Sequence, residues 1–190
     1  MNEQSIVGTQ CLTNNINANE AYVNEHYPND IFISDISLVK GRIKYSKGLI
    51  IPENVKIAEI RIPINSEQRE ILRKELKQAE LLAKLGCSVY LIPERAAFGE
   101  RPKDAVVNGV LFEFRTVTGN ARTLEWEFRD AKKKGINVNV FIHVISDINR
   151  DEVRRRVKLV IDNHPEYTRA IVMSLSKSDK LYFWETESFR

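Results

Sequence analysis

Asp104, Glu113 and Arg115 are the residues whose types and spacing could do chemistry. Between the two acids run Ala105-Val106-Val107, then Asn108-Gly109, then Val110-Leu111-Phe112. Asn-Gly between two apolar runs is the signal for a β-hairpin with a two-residue turn. That turn fixes a register in which Val107 faces Val110, Val106 faces Leu111, Ala105 faces Phe112, and Asp104 faces Glu113. Directly opposed residues share one face of the sheet with Cβ atoms about 4.5–5.5 Å apart. Two ionised carboxylates at that separation repel, and a divalent cation held between them removes the repulsion. Hard, oxygen-only ligation of this kind suits Mg²⁺ or Mn²⁺. Arg115 lies two residues beyond Glu113 and projects from the same face. A fixed cation there can orient a phosphate or offset charge that develops in phosphoryl transfer. Phe112 and Phe114 take the other face and read as core. The competing reading is an ordinary half-exposed strand, with Glu113 and Arg115 as surface decoration and Asp104 as a strand terminator.

The elements that must hold these residues follow from periodicity. Ser66, Arg69 and Glu70 open a helical segment with Leu72, Leu76, Ala79, Leu82 and Ala83 along one face, and Gly86 stands where a C′ glycine belongs. Cys87 to Ile92 is a short β run ended by Pro93, followed by a polar loop to Pro102. The strands of the hairpin span 103–107 and 110–117. Thr118-Gly119-Asn120 offers a turn and an N-cap before a helix carrying Leu124, Phe128 and Ala131, which ends at Gly135. Val138 to Ile145 is an apolar strand suited to a sheet interior. A basic helix at about 149–163 and a terminal hairpin, 170–175 and 181–185, complete the chain. Residues 1–30 are rich in Asn and Glu with little apolar periodicity, so they read as irregular. Short β runs follow at 31–33, 43–45 and 57–62, with turn signals at Lys47-Gly48 and Ile51-Pro52. The expected organisation is a β-rich lead-in over 1–65 and a main domain over 66–190. The expected class is α/β of the α+β kind, with a mixed central sheet flanked by helices.

The order α-β-β-β-α-β from residue 66 to 145, with Asp at the start of a hairpin and Glu-x-Arg on its second strand, resembles the PD-(D/E)XK nuclease superfamily. Two stretches narrow the likeness. Ala79-Glu-Leu-Leu-Ala83-Lys-Leu-Gly86-Cys-Ser-Val89-Tyr-Leu-Ile-Pro93-Glu94 is one, and 103–120 around the Asn108-Gly109 turn is the other. Both look like the C-terminal tRNA-nuclease toxin domain of contact-dependent growth inhibition (CdiA-type) proteins. The likeness covers roughly residues 67–145. It implies that Asp104 and Glu113 are metal-binding acids for Mg²⁺ or Mn²⁺, and that a third acid lies on the preceding helix. Glu75 is the choice, being in line with Ala79, Leu82 and Gly86; Glu80 is the alternative.

The implied reaction is phosphodiester hydrolysis, with Arg115 holding the scissile phosphate. Thr118 and Asn120 are candidate phosphate contacts near a helix N-terminus, although capping is the commoner use of such residues. The family usually has lysine where this chain has Arg115. Arginine stays charged at accessible pH and cannot serve as a base. The possibilities are a slower enzyme, one whose base is a metal-bound water, or a relative that only binds. The implied partners are nucleic acid, tRNA foremost, and an acidic immunity protein. A DNA endonuclease of a mobile element uses the same core, and the site residues do not choose between polymers.

Bulk properties exclude several other classes. The chain has 190 residues, 43% hydrophobic and 29% charged, an ordinary globular composition. No apolar run approaches the length of a membrane span, and the first residues lack the basic and apolar regions of a secretory signal. Cys11 and Cys87 are the only cysteines, so no disulfide framework is expected and a cytoplasm is the expected location, the chain's own or that of a cell receiving it. The net charge of +3 is uneven: residues 1–65 carry six basic and seven acidic side chains, so the excess lies beyond them. It includes Lys132-Lys133-Lys134 and Arg154-Arg155-Arg156, which read as solvated helix faces or, with Lys133 foremost, as a phosphate-contact surface. His26, His143 and His164 fit no ligand spacing. Trp126, Trp184 and Tyr182 could stack on bases but serve more often in packing.

Overall fold

The computed structural model describes residues 16–34, 53–61, 65–93, 103–133, 139–164, 167, 169–175 and 181–185. The β run expected at 43–45, the turn signals at 47–48 and 51–52, the loop at 94–102, and Lys134 and Gly135 lie outside them. The described residues fall into two compact units, which part between Leu111 and Phe112. The sequence boundary at residue 65 falls inside the first of these.

The first unit contains α1 (Ile16–His26), β1 (Phe32–Ile33), β2 (Val55–Ala58), a 3-10 turn (Glu59–Arg61), α2 (Ser66–Lys84), β3 (Val89–Leu91) and β4 (Ala105–Val107). β1 runs antiparallel to β2, β2 parallel to β3, and β3 antiparallel to β4. Asn65 caps α2 by accepting from the Gln68 amide at 2.9 Å. At the other end Gly86 takes φ +88° as a C′ glycine should. Leu72, Leu76, Ala79 and Leu82 are buried along one face of α2, which lies against β2 and β3.

Two expectations fail here. Residues 16–26, read as irregular, are helical, and 59–61, read as strand, form a 3-10 turn. The buried positions on and just after α1 are Asn19, Val23 and Tyr27, spaced four apart. One of the three is polar, so an apolar-periodicity reading loses the stripe. Val23 and Tyr27 pack with Tyr90, Ile92 and Val106 of the adjoining sheet.

The second unit begins in β5 (Val110–Val117) and continues with α3 (Ala121–Lys132), β6 (Asn139–Val144), α4 (Arg150–Asn163), β7 (Arg169–Leu175) and β8 (Leu181–Glu185). β5, β6 and β7 are parallel, and β8 returns antiparallel to β7. Parallel neighbours need crossover connections, and α3 and α4 are those crossovers. Their apolar stripes, Leu124 and Phe128 on α3 and Val153 and Val157 on α4, pack on Val117, Ile142 and Val172. From α2 to β6 the order is α-β-β-β-α-β, and both sheets are mixed, the α+β class expected.

Candidate functional site

The turn joining β4 to β5 has positive φ at both central residues, +48° at Asn108 and +83° at Gly109. This is the type I′ requirement, which Asn-Gly meets with little strain. α1 locks the turn. Asn19, fully buried, accepts from the Gly109 amide at 2.6 Å and donates to Ser88 Oγ at 3.1 Å. Asn108 Oδ1 in turn accepts from the Ser88 amide at 2.8 Å. A Cβ at Gly109 would meet Ala18 Cβ at 2.8 Å, so the close approach of α1 also demands glycine.

Within the first unit, Glu75 and Asp104 meet on a residue that the sequence did not single out. Glu75 lies on the buried side of α2, 7% exposed, and its Oε2 accepts from Arg61 Nη2 at 2.5 Å. Nη1 of the same guanidinium donates to the Asp104 carbonyl at 3.1 Å. Arg61 is itself buried. The planar, fork-shaped donor set of arginine suits this double task. Glu80, the alternative third acid, faces elsewhere: Lys77 and Lys84 hold it at 2.9 and 2.6 Å. Burial pushes its carboxyl up, yet the two lysines outweigh burial and leave it below the usual carboxylate range.

Within the second unit, Glu113 is 1% exposed. Its register partners run through β6, with Glu113 beside Val140 and Arg115 beside Ile142. Parallel partners share a face, and Val140 and Ile142 belong to the core beneath α3 and α4. The acid and the arginine therefore lie on the helix-covered face. Arg115 Nη2 contacts Glu113 Oε1 at 2.7 Å and Asp130 Oδ2 at 2.9 Å. Asp130 Oδ1 meets Lys133 Nζ at 3.0 Å, which links Lys133 to Arg115 through one carboxylate. Glu127 lies close enough to feel the same charges. Burial raises its carboxyl above the ordinary range, Arg115 opposes that rise and Asp130 adds to it.

Thr118 and Asn120 stand apart from this chain of charges. Both are exposed, and Asn120 caps α3 by accepting from the amides of Arg122 at 2.9 Å and Thr123 at 3.4 Å. His143 is buried on β6 on the face opposite Ile142, His26 stacks on Tyr22 with ring centroids 4.1 Å apart, and His164 lies near Lys132 Nζ at 3.4 Å. The side chains of Tyr182 and Trp184 lie outside the described residues. Among the described residues, no three His, Cys, Asp or Glu side chains converge to hold a metal ion. No helix among them is long and apolar enough to cross a membrane.

Arg61, Glu127 and Asp130 are the residues that the sequence reading missed. The two acids were accessible to it. They flank the apolar stripe of Leu124, Phe128 and Ala131 at helical spacing, so both must border the strand that α3 covers. Arg61 had no such signal.

No protein-family model matches the chain, and no curated protein matches it. Among solved structures, a chain of the CdiA-CT/CdiI toxin and immunity complex from Burkholderia pseudomallei is similar, with 21% sequence identity and a TM-score of 0.44. The match covers 74% of this chain and 97% of that one.

Proposed function

We propose that this chain is a metal-dependent endonuclease that hydrolyses phosphodiester bonds in RNA, with tRNA the first substrate to test. The observation that carries the reading is Arg61, whose guanidinium holds the Glu75 carboxylate at 2.5 Å and the Asp104 carbonyl at 3.1 Å. Glu75 and Asp104 are two of the three acids chosen from sequence, and they are far apart in the chain. The third, Glu113, is the acid that the sequence register of a two-residue turn is expected to set opposite Asp104, and the positive φ of both Asn108 and Gly109 supports that turn type.

Asp104 and Glu113 supply only carboxylate oxygens, a donor set that fits a hard divalent cation such as Mg²⁺ or Mn²⁺. Arg115 shares Glu113 Oε1, so part of the charge balance there comes from a guanidinium. A bound cation would lower the pKa of a coordinated water and stabilise charge on the phosphate. Arg115, held by Glu113 and Asp130, orients the scissile phosphate, and Asp130 fixes the distance of Lys133 from it. An acidic protein inhibitor is the partner this reading implies, since a toxic nuclease of net charge +3 needs a complementary surface to silence it.

The test is to incubate the purified chain with total tRNA and with plasmid DNA, in Mg²⁺, Mn²⁺ or EDTA, beside Asp104→Ala and Glu113→Gln, with circular dichroism to confirm folding. Cleavage of tRNA that needs metal and is lost in both folded variants is expected. Cleavage of plasmid alone would move the substrate to DNA. No metal-dependent cleavage of either polymer, or cleavage that survives both substitutions, overturns the enzymatic reading. Arg115 favours a second reading, a nuclease-like protein that binds nucleic acid without cutting it, because arginine cannot act as the base. Binding without turnover in the same assay would support it.

A further inference from the structure

Helix α3 divides into sectors by spacing alone. At about 100° per residue, Leu124, Phe128 and Ala131 occupy one narrow arc and are buried in the core. Glu127 and Asp130 take one flank, towards Arg115. Glu125 and Lys132 take the other, where they meet Arg156 and His164 of the α4 side. The remaining arc, roughly 60° wide and opposite the core, carries Arg122, Trp126, Arg129 and Lys133. All four are exposed, and Trp126 is 62% exposed.

Two features of this crest lack a structural cause. A tryptophan in water forgoes the burial that its large apolar surface would reward. Arg122 and Arg129 have no carboxylate partner among the described residues, whereas Arg73, Arg115, Arg155 and Arg156 are each ion-paired. Every acid of α3 is turned onto a flank, so the crest is cationic with one flat ring in its middle.

We propose that this crest binds single-stranded nucleic acid, with Trp126 stacking on a base and Arg122 and Arg129 holding the flanking phosphates. Arg122 precedes the ring by about 6 Å along the helix axis and Arg129 follows it by about 4.5 Å. Charge, ring and charge therefore alternate along the crest, as phosphate and base alternate along a strand. Stacking on an aromatic side chain works for any base, because every base has a π-face. The apolar part of the crest is a single ring, with no wider apolar centre for a protein interface to bury. The proposal rests on the nuclease reading for its biological meaning and deepens it by naming the surface that holds the strand.

The test is equilibrium binding of the full chain to a fluorescently labelled single-stranded RNA of about 12 nucleotides, in EDTA so that nothing is cut. From the usual stacking energies, Trp126→Ala should weaken binding about 5- to 150-fold, and Trp126→Phe should restore most of the loss. Arg122→Ala and Arg129→Ala should each reduce the slope of log K against log salt by about 0.7. Lys74→Ala, which removes an exposed charge from α2, should leave the affinity contributed by Trp126 unchanged. Affinity of Trp126→Ala within about twofold of wild type overturns the proposal. So does an acidic polypeptide that binds as tightly as the strand and is lost equally with Trp126→Ala, since that assigns the crest to a protein partner. The two readings fail separately. Trp126-dependent binding without cleavage by wild type leaves the crest standing, and metal-dependent cleavage with Trp126-independent binding leaves only the nuclease.

Discussion

The Arg61–Glu75 pair sets what a single substitution can do. Its side chains are 3% and 9% exposed, so each ion relies on the other for solvation lost on folding. Breaking such a pair from one side strands a buried charge, at a cost of about 3–5 kcal/mol. Arg61→Met should therefore lower the urea midpoint more than Arg61→Met combined with Glu75→Leu, which removes both ions of the pair. Equal losses in the two would show that packing rather than charge dominates the site. Arg115 is subject to the same logic. Arg115→Met removes the guanidinium that Glu113, 1% exposed, shares with Asp130, while Arg115→Lys keeps a cation there. Lysine should retain most of the stability, measured by urea denaturation, but cannot reach both carboxylates with a planar fork. If the nuclease reading holds, Arg115→Lys should also change the pH profile of cleavage, because lysine can lose a proton and arginine cannot. At this scale the sequence exposed what register arithmetic could reach. Glu113 and Arg115 are two residues apart on a strand and do share a face. Arg61 was invisible because its partners are 14 and 43 residues further along the chain, and nothing local marks such a distance.

Among the elements, α1 and the β4–β5 turn stand or fall together. Asn19 serves the Gly109 amide and Ser88 Oγ from within the core, and a buried polar group left unmatched costs about 1–3 kcal/mol. Asn19→Ala should destabilise the chain by that amount and speed hydrogen exchange at the Gly109 amide, read by NMR. Gly109→Ala should be worse than Asn19→Ala, since it meets both a φ of +83° and the Ala18 side chain. An Asn19→Ala protein whose stability and Gly109 exchange both match wild type would separate α1 from the turn. These elements also mark the limit of pattern reading. α2, α3 and α4 were legible because each buries apolar residues at helical spacing, a run long enough on α2 to show through the buried Glu75, Gln78 and Glu80. α1 was not, because Asn19 occupies the position where the stripe should begin. The strand expected through residue 62 ends instead at Ala58, and Ile60, which alternation would have buried, is 65% exposed. The 3-10 turn that replaces it carries Arg61 to Glu75, a contact that no window of local sequence contains.

For the whole molecule, the arrangement of carboxylates dictates how stability follows pH. Glu20, Glu70 and Glu80 are all held below the ordinary carboxylate value, each with a lysine or arginine hydrogen-bonded to it. Glu152 is lowered furthest, from 4.5 to about 2, first by its hydrogen bond to Arg155 and then by that to Arg156. A group whose folded value is depressed stabilises the fold fully above its unfolded value and loses that contribution as pH falls towards the folded one. The loss should therefore run from about pH 4.5 down to about pH 2. Glu127 has the opposite sign. Burial, opposed by Arg115 and reinforced by Asp130, raises its carboxyl, so ionising it costs stability, and that cost grows as pH rises above the ordinary value. Urea midpoints measured between about pH 2 and pH 7 should fall steeply on the acid side. Glu152→Gln should flatten part of that acid limb, and added salt should flatten it further, because Glu152 and Arg155 lie in solvent where screening acts. Glu127→Gln should leave the acid limb intact and raise the midpoint near neutrality, since it removes a carboxylate that is costly only when charged. A midpoint that stays level from about pH 5 to pH 2 would mean that these pairs persist equally in the unfolded chain, and the surface charge network would then contribute nothing to the fold.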